Sequence, residues 1–164
     1  MNTYHPIFAT RQPLRVGEMR KLLADAGIAE DPQLIHPDEL EPAMHGADNC
    51  LVMIDGQWMP DQDVLIRLRS SSPRSRFVLW ADRLSADLLL ATMECELHGL
   101  LSSRLPAHEA ASALARICRG ERILRFDADS PEEAPVTSKR QLAAPQSFDA
   151  QWMLHGAEPS GKQT

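Results

Sequence analysis

Several things are scarce in this chain, and each scarcity removes a class of protein. The three cysteines, Cys50, Cys95 and Cys118, are odd in number and widely spaced, which fits reduced thiols in a core better than a disulfide framework or a zinc site. The six histidines contain no HxxxH or HxH pair, so no metal site is expected; one would need long-range convergence that no local spacing announces. Apolar runs stay far below the roughly 20 residues that cross a bilayer, and no membrane association is expected. The start, MNTYHPIFATRQP, has no basic segment leading into a long apolar stretch. No secretory signal is read there, and the cytoplasm is the expected compartment. Cationic residues are outnumbered: 17 Lys and Arg against 23 Asp and Glu leave a net charge of -6. That balance disfavours non-specific attraction to nucleic acid, and direct nucleic-acid binding is not expected.

What remains is a chain of 164 residues, 43% hydrophobic and 24% charged. Such a composition suits a soluble globular protein with one domain of about 100 to 150 residues and a tail. HPIFAT (5 to 10) is a candidate strand. Pro13 then opens LRVGEMRKLLADAG, whose Leu14, Met19, Leu22 and Leu23 share a helix face before Gly27 stops it. PQLIH (32 to 36) reads as a strand and DELEPAMHG as a short helix, although Pro42 sits inside it. CLVMID (50 to 55) is a nearly continuous apolar run ending in an acid, as in a strand buried on both faces.

A helix from about 62 to 70 presents Val64, Leu65 and Leu68, and RFVLWA (76 to 81) is another buried strand. Ser85 is a candidate N-cap for ADLLLATMECEL. GLLSS makes a fifth strand, and Pro106 starts AHEAASALARICRG, with Ala110, Leu114, Ile117 and Cys118 on one face and Gly120 past its end. This alternation predicts an α/β fold: a doubly wound, five-stranded parallel sheet whose functional site lies beyond the carboxyl ends of the strands. From about residue 127 periodicity is lost among prolines and small polar residues, so 127–164 is expected to be a disordered or partner-folded tail beyond a domain of 1–126. Within that tail Phe148, Trp152, Met153 and Leu154 form either a docking motif or a transient cluster.

ATRQPLRVGEM, CLVMIDGQWMP and HGLLSSRLPAHEAASALARICRGERIL, in this order over residues 6 to 125, resemble the receiver domain of response regulators. The likeness is greatest to the class that carries a LuxR-type DNA-binding domain, but no such output domain follows here. The resemblance implies a flavodoxin-like receiver fold and makes Asp55, four residues before Met59-Pro60, the equivalent of the phospho-acceptor. It also exposes departures. Where the family ends its first strand on two acids that hold Mg²⁺, this chain has Thr10 and Arg11. The family's hydroxyl residue after strand four falls on Ala81 or Trp80, its strand-five lysine on Ser103 with Arg104 adjacent, and its reporter aromatic on Leu100. Phosphoryl transfer depends on positioning and neutralising oxygen charges, and Mg²⁺ is poorly held by one carboxylate.

The expectation is therefore a pseudo-receiver without cofactor, with Asp55 as a strand-terminal acid held by hydrogen bonds or by an ion pair, for which Arg11 is the candidate. It would act through a protein partner, a histidine kinase or a transcription regulator, or through a homodimer. The interface would involve the last helix, with His108, Arg116 and Arg119 on its outer face. Two alternatives stand beside it: a receiver still phosphorylated on Asp55, and a transcriptional regulator acting through a DNA-binding partner. Enzyme chemistry with Asp55 as nucleophile lacks an accompanying general base or anion-binding glycine loop.

Overall fold

The structure, a computed structural model, describes residues 3–125. The expected tail, with its cluster around Phe148 and Trp152, lies outside the described residues. The strands are β1 (His5–Ala9), β2 (Gln33–Ile35), β3 (Cys50–Asp55), β4 (Arg76–Ala81), β5 (Gly99–Ser102) and β6 (Ile123–Arg125). Between them run helices α1 (Val16–Asp25), α2 (Leu40–Ala43), α3 (Gln62–Ser71), α4 (Ala86–Glu94) and α5 (Ala107–Cys118). Every pairing is parallel, and the sheet order is β2-β1-β3-β4-β5-β6.

This is the doubly wound α/β receiver fold, with six strands rather than the five expected. The sixth, β6, adds to the β5 edge, where the Ile123 N–H donates to the His98 carbonyl at 2.9 Å. Of its three residues only Ile123 is buried, so it lacks the apolar run by which a buried strand is read.

Alternation along the strands builds two apolar layers, because successive side chains leave a strand on opposite faces. On one face Phe8, Met53, Val78, Trp80 and Leu101 pack with Met19, Leu22 and Leu23 of α1 and Ala110, Leu114 and Ile117 of α5. On the other, Ile7, Val52, Ile54, Leu79, Ala81 and Leu100 meet Leu40, Leu65, Leu68 and Leu88 from α2, α3 and α4. Helix α5 sits very close to the sheet at Gly99. A Cβ there would fall 2.6 Å from Ile117 Cδ1 and 3.2 Å from Val78 Cγ1.

Three helix expectations need correction. Residues Pro13–Arg15 form a 3-10 turn before α1, and Leu14 is 96% exposed instead of facing the core. Pro42 falls in the first turn of α2, where no intrahelical N–H is needed, so it is tolerated. Helix α4 stops at Glu94, short of the expected 97. Leu97 N–H reaches Thr92 O at 2.9 Å and Glu96 N–H reaches Met93 O at 3.2 Å. This is a Schellman closure that puts Glu96 at a left-handed φ of 51°.

Candidate functional site

Strand register brings the ends of β1, β3, β4 and β5 to one edge of the sheet, with Ala9 beside Ile54, Asp55 beside Trp80, and Ala81 beside Ser102. Asp55 closes β3 and is 2% exposed. Its Oδ1 accepts the Gln57 N–H at 3.0 Å, which caps the 3-10 turn Gly56–Trp58. Its Oδ2 accepts the Thr10 hydroxyl at 2.9 Å. Thr10 in turn accepts the Gln12 N–H at 2.9 Å, so one of its lone pairs is occupied and its own proton points to the carboxylate. Both oxygens of the buried acid thus have neutral donors fixed by the backbone.

Arg11 is not the partner of Asp55, contrary to expectation. It is the second residue past β1, directly after Thr10. The guanidinium lies 4.7 Å over the Trp58 ring, and its Nη2 is 3.5 Å from Asp38 Oδ2. Arg11, Asp38, Trp58, Met59 and Pro60 line a crevice of about 360 Å³ beside the acid.

The cation near Asp55 is Arg15, which the sequence reading overlooked. Arg15 is paired with Asp82, whose other oxygen accepts the Ser103 hydroxyl. The hydrogen bond to Asp82 and then the charges of Asp82 and Asp55 hold Arg15 firmly protonated against its partial burial. The hydrogen bonds from Arg15 and Ser103 hold the Asp82 carboxyl below the usual range, with the charge of Arg104 adding to the effect. Ser103, at the expected lysine position, therefore serves Asp82 rather than Asp55. Arg104 is exposed, and its N–H donates to Ser102 Oγ at 3.1 Å. No local motif joins Arg15 to Asp82; only the meeting of the loops after β1 and β4 does.

Ala81 and Trp80 divide between the layers. Trp80 is buried against α1 and α5, and Ala81 lies over the Asp55 loop, where a Cβ on Gly56 would come within 3.0 Å of its methyl and 3.2 Å of Leu88 Cδ2. An apolar contact thus stands where a hydroxyl would have to reach a phosphoryl group. Leu100 is fully buried in the opposite layer from Trp80.

These residues do not fit Mg²⁺. The ion requires oxygen ligands at near-octahedral positions. At this edge the first strand offers a hydroxyl already committed to Asp55, Asp82 is bound to Arg15, and no group of three or more His, Cys, Asp or Glu among the described residues converges on a metal position.

The expected interface residues are also placed. His108 is exposed on α5 and lines a shallow groove of about 600 Å³ with Lys21, Asp25, Ala111 and Ala115. Arg116 and Arg119 flank Glu121, at 2.6 Å and 3.8 Å. Burial pushes the thiols of Cys50, Cys95 and Cys118 up, away from the thiolate form. No described helix is long and apolar enough to cross a membrane.

No family model and no curated protein matches the sequence. Solved structures do match it in fold. The isolated REC domain of RcsB from Salmonella enterica serovar Typhimurium, determined with the phosphomimetic BeF3-, is 13% identical with a TM-score of 0.62, the match covering 75% of this chain and 94% of that one. A LuxR family DNA-binding response regulator from Silicibacter pomeroyi is 16% identical with a TM-score of 0.60, covering 76% and 98%. A pilus assembly-related protein from Burkholderia pseudomallei is 18% identical with a TM-score of 0.59, covering 74% and 96%. At these identities the likeness establishes the receiver fold.

Proposed function

We propose that the chain is a non-catalytic regulatory pseudo-receiver, acting through protein–protein contact in two-component-type signalling or transcription control. The observation that carries this reading is the pair of neutral donors on Asp55: Thr10 on one oxygen and the Gln57 N–H on the other. A phosphoryl acceptor needs a free carboxylate oxygen in line with the donor and cations on the transferred oxygens. Here the acid is tied into the backbone, Arg15 is committed to Asp82, and Ala81 with Leu88 covers the loop. Asp55 is then a structural cap, and the conformation of the carboxyl edge is set without metal or phosphate.

Incubation of the full chain with a small phosphodonor and Mg²⁺, followed by intact mass measurement, tests this against a competent receiver run in parallel. The mass stays unchanged under this reading, and a phosphate mapped to Asp55 overturns it. The partner is a protein, a histidine kinase or a transcription regulator, or a second copy meeting through the α5 face with His108, Arg116 and Arg119. Sedimentation at high micromolar concentration separates these, since a monomer there removes the homodimer. Direct nucleic-acid contact plays no part in this reading, and a salt-dependent gel shift by the isolated chain would contradict it.

A further inference from the structure

At the opposite edge of the sheet, three guanidiniums gather on three consecutive residues. Arg69 of α3 donates through Nε to the Glu96 carbonyl at 3.3 Å, and Arg122, just before β6, donates through Nε to the Leu97 carbonyl at 3.1 Å. Arg76, which opens β4, brings Nη1 to 3.3 Å from Nε2 of His98. The Schellman closure of α4 turns those carbonyls toward the arginines. None of the three is in an ion pair among the described residues; Arg83, Arg104 and Arg125 lack one too, but only Arg69, Arg76 and Arg122 converge on one short segment. Glu121, the nearest acid in sequence to Arg122, is taken by Arg116 and Arg119.

Two observations show that donors outnumber acceptors here. Arg76 Nε is buried with no hydrogen-bond partner. His98 is 5% exposed, and its Nδ1 accepts the Phe77 N–H at 3.1 Å. Burial first, then the charges of Arg69, Arg76 and Arg122, lower its pKa to about 4, so the ring is neutral at physiological pH. A neutral imidazole has one acceptor nitrogen. With Nδ1 accepting, the ring proton sits on Nε2 and confronts another donor, Arg76 Nη1; the other tautomer only moves the conflict to Phe77.

We propose that this amino-end cluster of Arg69, Arg76 and Arg122 around His98 binds a phosphoryl oxyanion. A tetrahedral oxyanion of charge near -2 presents several acceptors at once, which matches three planar, permanently charged donors better than a single carboxylate does. Arg69 and Arg76 are half-buried and Arg122 is exposed, so the Nη groups not engaged with backbone can be reached from solvent. The oxyanion can be free or part of a lipid headgroup. The site is independent of whether Asp55 accepts phosphate, because it lies at the other end of the strands.

The test is calorimetric titration of the full chain with inorganic pyrophosphate at low ionic strength, beside co-sedimentation with phosphatidylglycerol–phosphatidylcholine vesicles. Saturable pyrophosphate binding identifies a soluble ligand, and binding to vesicles alone identifies the headgroup. Either is expected to weaken roughly tenfold or more in the Arg69→Gln/Arg122→Gln double variant, the loss of charge-assisted bonds to one ligand. Arg67→Gln, on the same helix as Arg69 but with its guanidinium paired to Glu41 of α2, is the charge control and should bind as the parent does. Amide shifts confined to Phe77 and residues 96 to 98 on titration report the location even if the double variant is poorly folded. Binding in neither arm, equal weakening in Arg67→Gln, or shifts elsewhere overturns the proposal.

Discussion

The two ends of one parallel sheet handle charge in opposite ways. At the carboxyl end the buried acid and its neighbours are satisfied: Asp55 holds two neutral donors, and Arg15, Asp82 and Ser103 satisfy one another. At the amino end Arg69, Arg76 and Arg122 share backbone carbonyls and a neutral imidazole, and donors meet donors. Open α/β sheets usually place ligands beyond the carboxyl ends. Here Asp55 and the Arg15–Asp82–Ser103 group are closed on themselves, and each end keeps one buried donor without a partner among the described residues, Trp58 Nε1 at this end and Arg76 Nε at the other, where three guanidiniums also gather. A structurally self-sufficient edge resists switching by a small charge, because a ligand there must first displace bonds already made.

The largest test of that contrast is Thr10→Val. The substitution keeps the shape but removes the hydroxyl that serves a buried carboxylate and accepts the Gln12 N–H. Hydrogen bonds to charged groups contribute about 1.5–3 kcal/mol, and a buried acceptor left unpaired sits at the upper end. Urea unfolding at neutral pH should show a loss of about 2–3 kcal/mol. A loss below about 0.5 kcal/mol would mean that Asp55 is not tied down by Thr10.

Second comes the pH profile of the amino end. The folded pKa of His98 is lowered to about 4 from an ordinary 6.5, so the unfolded chain binds the proton first. Stability from the neutral ring is fully present above about pH 6.5 and declines as pH falls toward 4. In His98→Asn, whose side-chain oxygen can accept the Phe77 N–H but does not titrate, the urea midpoint should vary less over that window. An identical slope in parent and variant would place the titration on another group.

The legibility of the chain follows burial. Strands β3 and β4 match their expected bounds, Cys50–Asp55 and Arg76–Ala81, because a strand covered on both faces must be a continuous apolar run. The position of Asp55 at a strand end was readable for the same reason, and Thr10 beside it followed from the parallel register. β6 was not readable, since an edge strand with one buried residue carries no pattern. Arg11 is the candidate cation in the sequence because it falls where the resembled family carries an acid of the same pocket. Its guanidinium lies over Trp58 instead, and Arg15 fills the place from a turn whose direction depends on Pro13. The arginine cluster comes from α3, β4 and the turn before β6, elements joined by topology and by no spacing along the chain.

A smaller effect is expected from the surface pair that completes the carboxyl edge. Arg15→Gln removes the partner that holds the Asp82 carboxyl below its usual range. Because a depressed folded pKa favours the charged form, the pair's stabilisation is present above the ordinary Asp range and lost as pH falls through the folded value. Asp82 is about half exposed, with 48% of its side-chain surface accessible, and screening limits the worth of the pair to about 0.5–1 kcal/mol. The stability of Arg15→Gln should fall by that amount at pH 7 and converge on the parent as pH drops through the lowered folded pKa of Asp82. A difference that persists unchanged into acid would assign the role of Arg15 to packing.

The smallest change should come from Arg76→Met, and its size separates the two edges most sharply. Methionine keeps the unbranched apolar stem and removes the orphaned Nε together with the Nη1 that confronts His98. Deleting unsatisfied donors costs little, since the group removed was already missing its bonds. Unfolding in phosphate-free buffer should therefore differ from the parent by less than about 1 kcal/mol in either direction, a surface-like value for a half-buried arginine. Thr10→Val and Arg76→Met each delete polar function near a strand end, so equal losses from both would mean that the amino-end donors are satisfied in solution and that the asymmetry between the edges does not hold.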